Sequence, residues 1–237
     1  MKIANKDLLV TSSLLDSFAW YKEAPNKPSR DNEAVTWKQK ALTDLRHTLT
    51  RAPYTSSFEA DRGTAFESKI YPSLFLPRDA FVAKHGETLG LFHDLCAGGR
   101  QQETLKAKIN VDGQNYTLYG KSDVLYPIGS KQFPEGKIID IKTTLEWKGH
   151  SKYTARVQHP MYIVMSGIET FVYLVAVGED GKEPKDFTVT SVFPVEASLD
   201  IDTANAIMVE RIRGFMAFLA ENPELQDAYC NVFTKSW

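Results

Sequence analysis

An Asp112-Gly113 pair set between two alternating stretches constrains this chain more than any other feature. Asp-Gly supplies the two residues of a tight hairpin turn, both with positive φ. Before it, Leu105, Ala107, Ile109 and Val111 recur at every second position from Glu103 onward, and after it Tyr116, Leu118 and Gly120 continue on a return strand. Two antiparallel strands are predicted here, with one face that something else must cover. The residues before the hairpin supply the cover, because their apolar positions recur at helical spacing. Leu8, Leu9, Leu14, Leu15 and Phe18 predict one helix, and Glu33 to Leu49 predicts a second, with Val35, Trp37, Leu42 and Leu45 on its apolar face. A loop at Pro25 to Ser29 separates them. A third helical stretch spans Ser57 to Phe75, interrupted near its end by Pro72, and a short one runs from Leu89 to Leu95 until Gly98-Gly99 stops it.

Beyond the hairpin the chain predicts more sheet. Lys137 to Thr143, KIIDIKT, is a β-rich run after the Pro127 to Gly136 loop, Ser151 to Met165 is helical, and Thr170 to Val177 and Phe187 to Phe193 are strands joined by a turn at Gly178 to Lys182. A last helix from Ser198 to Glu221 carries a stripe of Ala204, Ile207, Met208, Ile212, Phe215, Met216 and Leu219, which is expected to be core rather than a partner-binding face. The expected class is α/β: a mixed central sheet flanked by helices, with a helical N-terminal half. No repeat or composition shift divides it, so residues 1–237 are expected to form a single domain, with a mainly helical part (1–100), a sheet core carrying the site (101–195) and a C-terminal helix (196–237).

Composition removes several function classes. With 28 basic and 30 acidic residues the net charge is -2, so the surface as a whole is no nucleic-acid footprint and any such contact needs a local basic patch. Cys96 and Cys230 alone cannot make a disulfide framework or a four-thiolate metal site, and a reducing cytoplasm is expected. The first residues lack a signal-type apolar region and no stretch approaches a membrane span, so no membrane association is expected.

The chemistry lies between Gly120 and Tyr162. Asp123 falls near the end of the return strand, and Asp140 sits inside an otherwise apolar strand, one residue removed from Lys142. Residues two apart in a strand share a face, so Asp140 and Lys142 project together while Ile139 and Ile141 face the core. Taken alone, Asp-x-Lys is most often a minor surface ion pair. Two carboxylates on neighbouring strands, however, repel, and a hard divalent cation with oxygen ligands, Mg²⁺ or Mn²⁺, is the simplest way to hold both ionised. Asp123, Asp140 and the Ile141 backbone carbonyl would bind it. Such a cation offsets the charge that develops on a phosphodiester, and Lys142 would orient or deprotonate the attacking water.

With these motifs the chain resembles the PD-(D/E)XK nuclease superfamily, and within it the phage-type recombination exonucleases, exonuclease VIII of RecE type and λ exonuclease. The matching residues are Gly63 with Glu67 in RGTAFES, Asp123 in GKSDVL, Asp140 and Lys142 in IIDIKTT, and Gln158 with Tyr162 in VQHPMY. Ser122 stands where the superfamily's name-giving proline would precede the first acid. The resemblance implies a restriction-endonuclease-like core, Asp123 and Asp140 as principal metal ligands, Lys142 as the catalytic lysine, Glu67 as a helix-borne acid near the metal, and Gln158 as a helix residue that positions the site or the DNA backbone. It further implies a Mg²⁺-dependent deoxyribonuclease, a 5′→3′ exonuclease on double-stranded ends in recombination. The enzyme alternatives are a RecB-type single-strand nuclease or an endonuclease, and the non-enzymatic one is a DNA-binding or protein-inhibiting module on the same fold. Implied partners are DNA, a single-strand annealing protein and further copies of the chain in a ring.

Charge supports a DNA contact locally. Between Lys121 and Arg156 seven basic residues face four acidic ones, in a chain that is acidic overall. Lys148, Lys152 and Arg156 are spaced by four; a helix starting near Ser151 aligns Lys152 and Arg156 and leaves Lys148 in the loop before them, one starting at Lys148 aligns all three, and the three are the expected phosphate contacts, with Tyr162 beyond them. Trp147, His150 and Tyr153 lie among these cations as candidates for stacking on frayed bases.

Overall fold

A computed structural model of the chain describes residues 7–29, 34–51 and 56–233. Among them the order is β1 (Leu8–Thr11), α1 (Ser12–Glu23), α2 (Trp37–Thr50), α3 (Phe58–Ile70), α4 (Arg78–His85) and α5 (Gly90–Cys96). The hairpin strands β2 (Arg100–Val111) and β3 (Gln114–Tyr126) follow, then β4 (Lys137–Thr144), α6 (Ser151–Thr154), α7 (Gln158–Ser166), β5 (Phe171–Glu179) and β6 (Thr188–Glu196). Two helices close the chain, α8 (Ile201–Glu221) and α9 (Pro223–Phe233). The class is α/β, with a mixed six-stranded sheet flanked by helices.

The hairpin forms where alternation and turn chemistry place it. β2 and β3 pair antiparallel from Val111↔Gln114 to Arg100↔Leu125, and Asp112 and Gly113 take φ values of 52° and 81°. β4 pairs antiparallel with β3 and parallel with β5, which pairs antiparallel with β6. Ile139 and Ile141 pack into one apolar layer with α3, α4 and α5, together with Phe66, Phe81, Phe92 and Leu174. Ile138, Leu118, Leu125 and Tyr173 face the other, against α1, α2, α7, α8 and α9. In α8, Met208, Ile212, Phe215 and Leu219 are fully buried, so the stripe is core. Full burial of each such side chain contributes roughly 1.5–3 kcal/mol relative to exposure, so packing rather than propensity holds the helix.

The structure corrects four expectations. Leu8, Leu9 and Val10 form a strand, not a helix start: β1 lies parallel to residues 116–119 of β3, and α1 begins only after Thr11, whose side chain accepts from the Leu14 N–H. Three consecutive buried residues show no alternation, so a partner a hundred positions away decides their conformation. The helix expected from Ser151 to Met165 breaks at 155–157 into α6 and α7. Between the third and fourth predicted helices α4 adds eight residues, capped by Pro77 and ended by Gly86 at φ 89°. The final helix starts at Ile201, after Asp200 accepts from the Thr203 N–H, and Pro223 starts a second one, as a proline in the first turn does. Glu33, expected to open the second helix, lies outside the described residues, and α2 starts behind a capping box of Thr36 and Gln39. No described helix is long and apolar enough to cross a membrane.

Candidate active site

β2 occupies one edge of β3 along its whole length. The other edge is shared, β1 covering residues 116–119 and β4 covering 124–126. Residues Gly120 to Asp123 therefore have no strand beside them on that edge. Buried backbone groups need partners, and two side chains provide them. The Tyr162 hydroxyl, from α7, donates to the Lys121 carbonyl at 2.8 Å and accepts from the Lys121 N–H at 3.0 Å. Gly120 makes that approach possible, because a Cβ there would lie 2.8 Å from the tip of the Tyr162 ring. At the other end the β3–β4 ladder stops at Val124↔Ile139, and the Ile141 N–H donates to Asp123 Oδ2 at 2.7 Å.

This opening gathers the chemistry. Asp140, 3% exposed, holds Lys142 Nζ 2.6 Å from its Oδ2, and its Oδ1 accepts from Gln158 Nε2 at the start of α7. Glu67 enters from α3 on the other side of the sheet. The link between the two sides is Gln102, a residue of β2 that sequence reasoning missed. Its Nε2 lies 2.9 Å from Tyr71 Oη, 3.2 Å from Asp123 Oδ1 and 3.5 Å from Glu67 Oε2. Gln102 has φ 55°, a left-handed conformation that costs a non-glycine residue about 1–3 kcal/mol. Nothing in the alternation around Gln102 announces this.

The electrostatics are those of too many acids. Burial raises the Asp123 carboxyl pKa, the negative charges of Asp140 and Glu67 raise it further, and Lys142 and the Ile141 N–H offset only part of this. Glu67 is raised by burial and by Asp140. Tyr71 is raised by burial, then by Asp123 and Glu67. Asp140 Oδ2 meets the Lys142 ammonium but has no partner in hydrogen-bonding geometry. A divalent cation fits this donor set. A residue's N–H and C=O project to the same edge of a strand, so the Ile141 carbonyl faces the opening with its N–H. Among the described residues no three Asp, Glu, His or Cys side chains form a ready metal cage. Mg²⁺ needs none, since it keeps several waters and takes one or two carboxylates.

The expected DNA contacts fare differently from one another. Lys148 is exposed in the loop after β4, beside Glu146 at 3.5 Å. The pKa of Lys152 is lowered by burial, then by the charges of Arg156 and Lys148, so the three cations sit within electrostatic reach. They do not share a helix face, since Lys152 is in α6 and Arg156 in the turn after it, with a buried Nε that has no partner. Tyr162 is 4% exposed with its hydroxyl committed to Lys121, and offers a nucleic acid no free surface. Trp147 stacks on Phe193 at 4.4 Å and on Tyr153 at 5.8 Å, and Tyr153 is buried, so these two rings pack inward instead of awaiting bases. Asp16 of α1 was not anticipated. It accepts the Val157 N–H at 3.1 Å, just before α7, and burial raises its pKa against the opposing charges of Arg156 and Lys142. Its one sign in the sequence is an acid between Leu15 and Phe18.

No family model and no curated protein sequence matches the chain. Among solved structures it is similar to a phage-related exonuclease from Haemophilus somnus 129PT, with 12% identity, 95% of each chain covered and a TM-score of 0.41. It is also similar to LHK-Exo, solved in complex with dAMP, at 15% identity over 92% of this chain and 89% of that one, with a TM-score of 0.37. A third is SSO0001, 17% identical over 73% of this chain and 84% of that one, with a TM-score of 0.35.

Proposed function

We propose that this chain is a single nuclease domain that hydrolyses DNA phosphodiesters with the help of a divalent cation. The observation that carries the reading is the convergence of Asp123, Asp140 and Glu67 beside Lys142, where β3 and β4 stop pairing. Asp123, Asp140 and the Ile141 carbonyl would hold Mg²⁺ or Mn²⁺, with Glu67 beside them. Bound there, the cation supplies Lewis-acid stabilisation of the charge that builds on the scissile phosphate. Lys142 Nζ, 2.6 Å from Asp140, orients the attacking water and offsets that charge. Gln158 donates to Asp140 Oδ1 and so fixes the plane of the carboxylate, leaving Oδ2 turned to Lys142. Lys148, Lys152 and Arg156 hold the backbone of the strand entering the site.

The resemblance extends this to 5′→3′ digestion of duplex ends during recombination in the cytoplasm, in a ring of copies with an annealing protein as partner. Incubation with end-labelled linear DNA and covalently closed circles, in Mg²⁺ or EDTA, tests the reading. Metal-dependent loss of linear DNA alone identifies an exonuclease, and nicked circles identify an endonuclease. No cleavage of either DNA in Mg²⁺ would overturn the enzyme reading and leave a binding module. In Ca²⁺, binding of blunt duplex across a salt series should show a log–log slope shallower by about two units for the Lys152→Ala, Arg156→Ala double variant. Equal slopes would place the DNA path elsewhere.

A further inference from the structure

Gln102 links Glu67 of α3 with Asp123 of β3. Its neighbours Gln101 and Glu103 lie across from Val124 and Ser122, which puts Gln102 across from Asp123. One amide nitrogen there faces three oxygens: Tyr71 Oη at 2.9 Å, Asp123 Oδ1 at 3.2 Å and Glu67 Oε2 at 3.5 Å. A carboxamide nitrogen has two hydrogens, so it is fully engaged and shared. The orientation of the amide follows from its surroundings, because two carboxylates repel the carbonyl end. The backbone leaves the β region at this residue, where φ is 55° in a strand that is paired on both sides of it. Strain of this kind persists where the surrounding structure over-determines it, and it concentrates at functional sites.

A neutral donor at this point has a specific consequence. A lysine or arginine would neutralise the acids and take the place of a cation, and a carboxylate would drive them apart. An amide draws them together and leaves their charge in place. Resting on the metal-dependent reading above, we propose that Gln102 is a positioning residue: it holds Glu67 of α3 against Asp123 of β3, and so makes Glu67 part of the cation site.

The test separates this role from a structural one by the sign of two readouts on the full chain. Gln102→Gly relieves the left-handed strain and removes the amide, and Gln102→Asn relieves strain while shortening the reach by one methylene. Calorimetric titration with Mg²⁺ alone should show affinity about tenfold lower or more in both variants, the size seen when partners of metal ligands are removed. Thermal midpoints in EDTA should stay at or above the parent value. In a Glu67→Gln background, adding Gln102→Gly should cost several-fold less affinity than it does in the parent, because part of its effect passes through Glu67 while its contact to Asp123 remains. Parental Mg²⁺ affinity in both single variants, or additive losses in the double variant, would overturn the proposal. So would a fall in midpoint with unchanged affinity. A parent chain that binds no Mg²⁺ would instead remove the metal-dependent reading itself, and this proposal with it.

Discussion

Arg62 and Lys142 each close a short ion pair beside the end of β4, and their surroundings differ. The Arg62 guanidinium, 4% exposed, meets both oxygens of Asp180 at 3.0 and 2.9 Å, approaches Thr143 Oγ1 at 3.4 Å and lies over the Phe187 ring. Asp180 is its direct partner, with its charge also reaching Glu59, and the pair ties α3 to the loop after β5. Lys142 sits 2.6 Å from Asp140, yet the charges of Asp123 and Glu67 reach the same place. Asp140, Asp123 and Glu67, with Asp16 beyond them, all feel the Lys142 charge. A balanced pair stabilises the fold, whereas an unbalanced one stores a demand for positive charge that folding alone leaves unmet.

Removing one acid from the unbalanced cluster should have the largest effect. Asp140→Asn is expected to lower DNA cleavage in Mg²⁺ by about a thousandfold or more, while its melting temperature in EDTA holds or rises as repulsion is relieved. Wild-type turnover by the folded variant would dissolve the contrast between the two pairs. Lys142→Ala should slow cleavage by about 10²–10³-fold at saturating Mg²⁺ and leave calorimetric metal binding in place, since no ligand is lost. Normal cleavage with a lower melting point would make Lys142 another Arg62. For the balanced pair the expectation is reversed. Arg62→Ala should lower urea-unfolding stability by about 2–3 kcal/mol, below the range for fully buried pairs because Asp180 is 23% exposed. Its cleavage per folded molecule should change only a few-fold.

The free edge of β3 repeats the contrast on a smaller scale, with Tyr162 closing one half by a neutral hydroxyl and Asp123 the other by a charge. Gly120→Ala should destabilise the chain by about 1–2 kcal/mol in urea, since the new Cβ meets a ring that two hydrogen bonds pin. An unchanged midpoint would show that Tyr162 can shift freely. The mildest effect at neutral pH concerns His159, buried against Phe171 and Tyr173, where burial lowers its pKa to about 4. Between the ordinary value near 6.5 and that value, the unfolded chain binds a proton the folded one refuses. Stability should therefore fall as pH falls through this window, by up to ~1 kcal/mol per unit. His159→Gln should flatten that slope in urea titrations, and an unaltered slope would locate the acid sensitivity in the carboxylates instead.

Much of the sheet was legible because its signals are local. Alternation and an Asp-Gly turn define β2 and β3 without reference to anything else, and the shared face of Asp140 and Lys142 follows from strand geometry alone. β1 was not legible, since three consecutive apolar residues suit a helix or a buried strand until the partner is known. The break before α7 was hidden for a similar reason: Asp16, far away in α1, takes the Val157 N–H.

What the residues determined by themselves is the chemical inventory, with Asp140 and Lys142 on one face of a strand and Asp123 on the strand before it. Only the tertiary structure decided which side chains face the opening. Tyr162 became a sheet plug, Trp147 and Tyr153 turned inward, and Gln102 came to join Glu67 to Asp123. The physical reason is that a strand edge left unpaired must be satisfied by whichever side chains the packing brings to it. That demand acts between elements distant in sequence, where no local period records it.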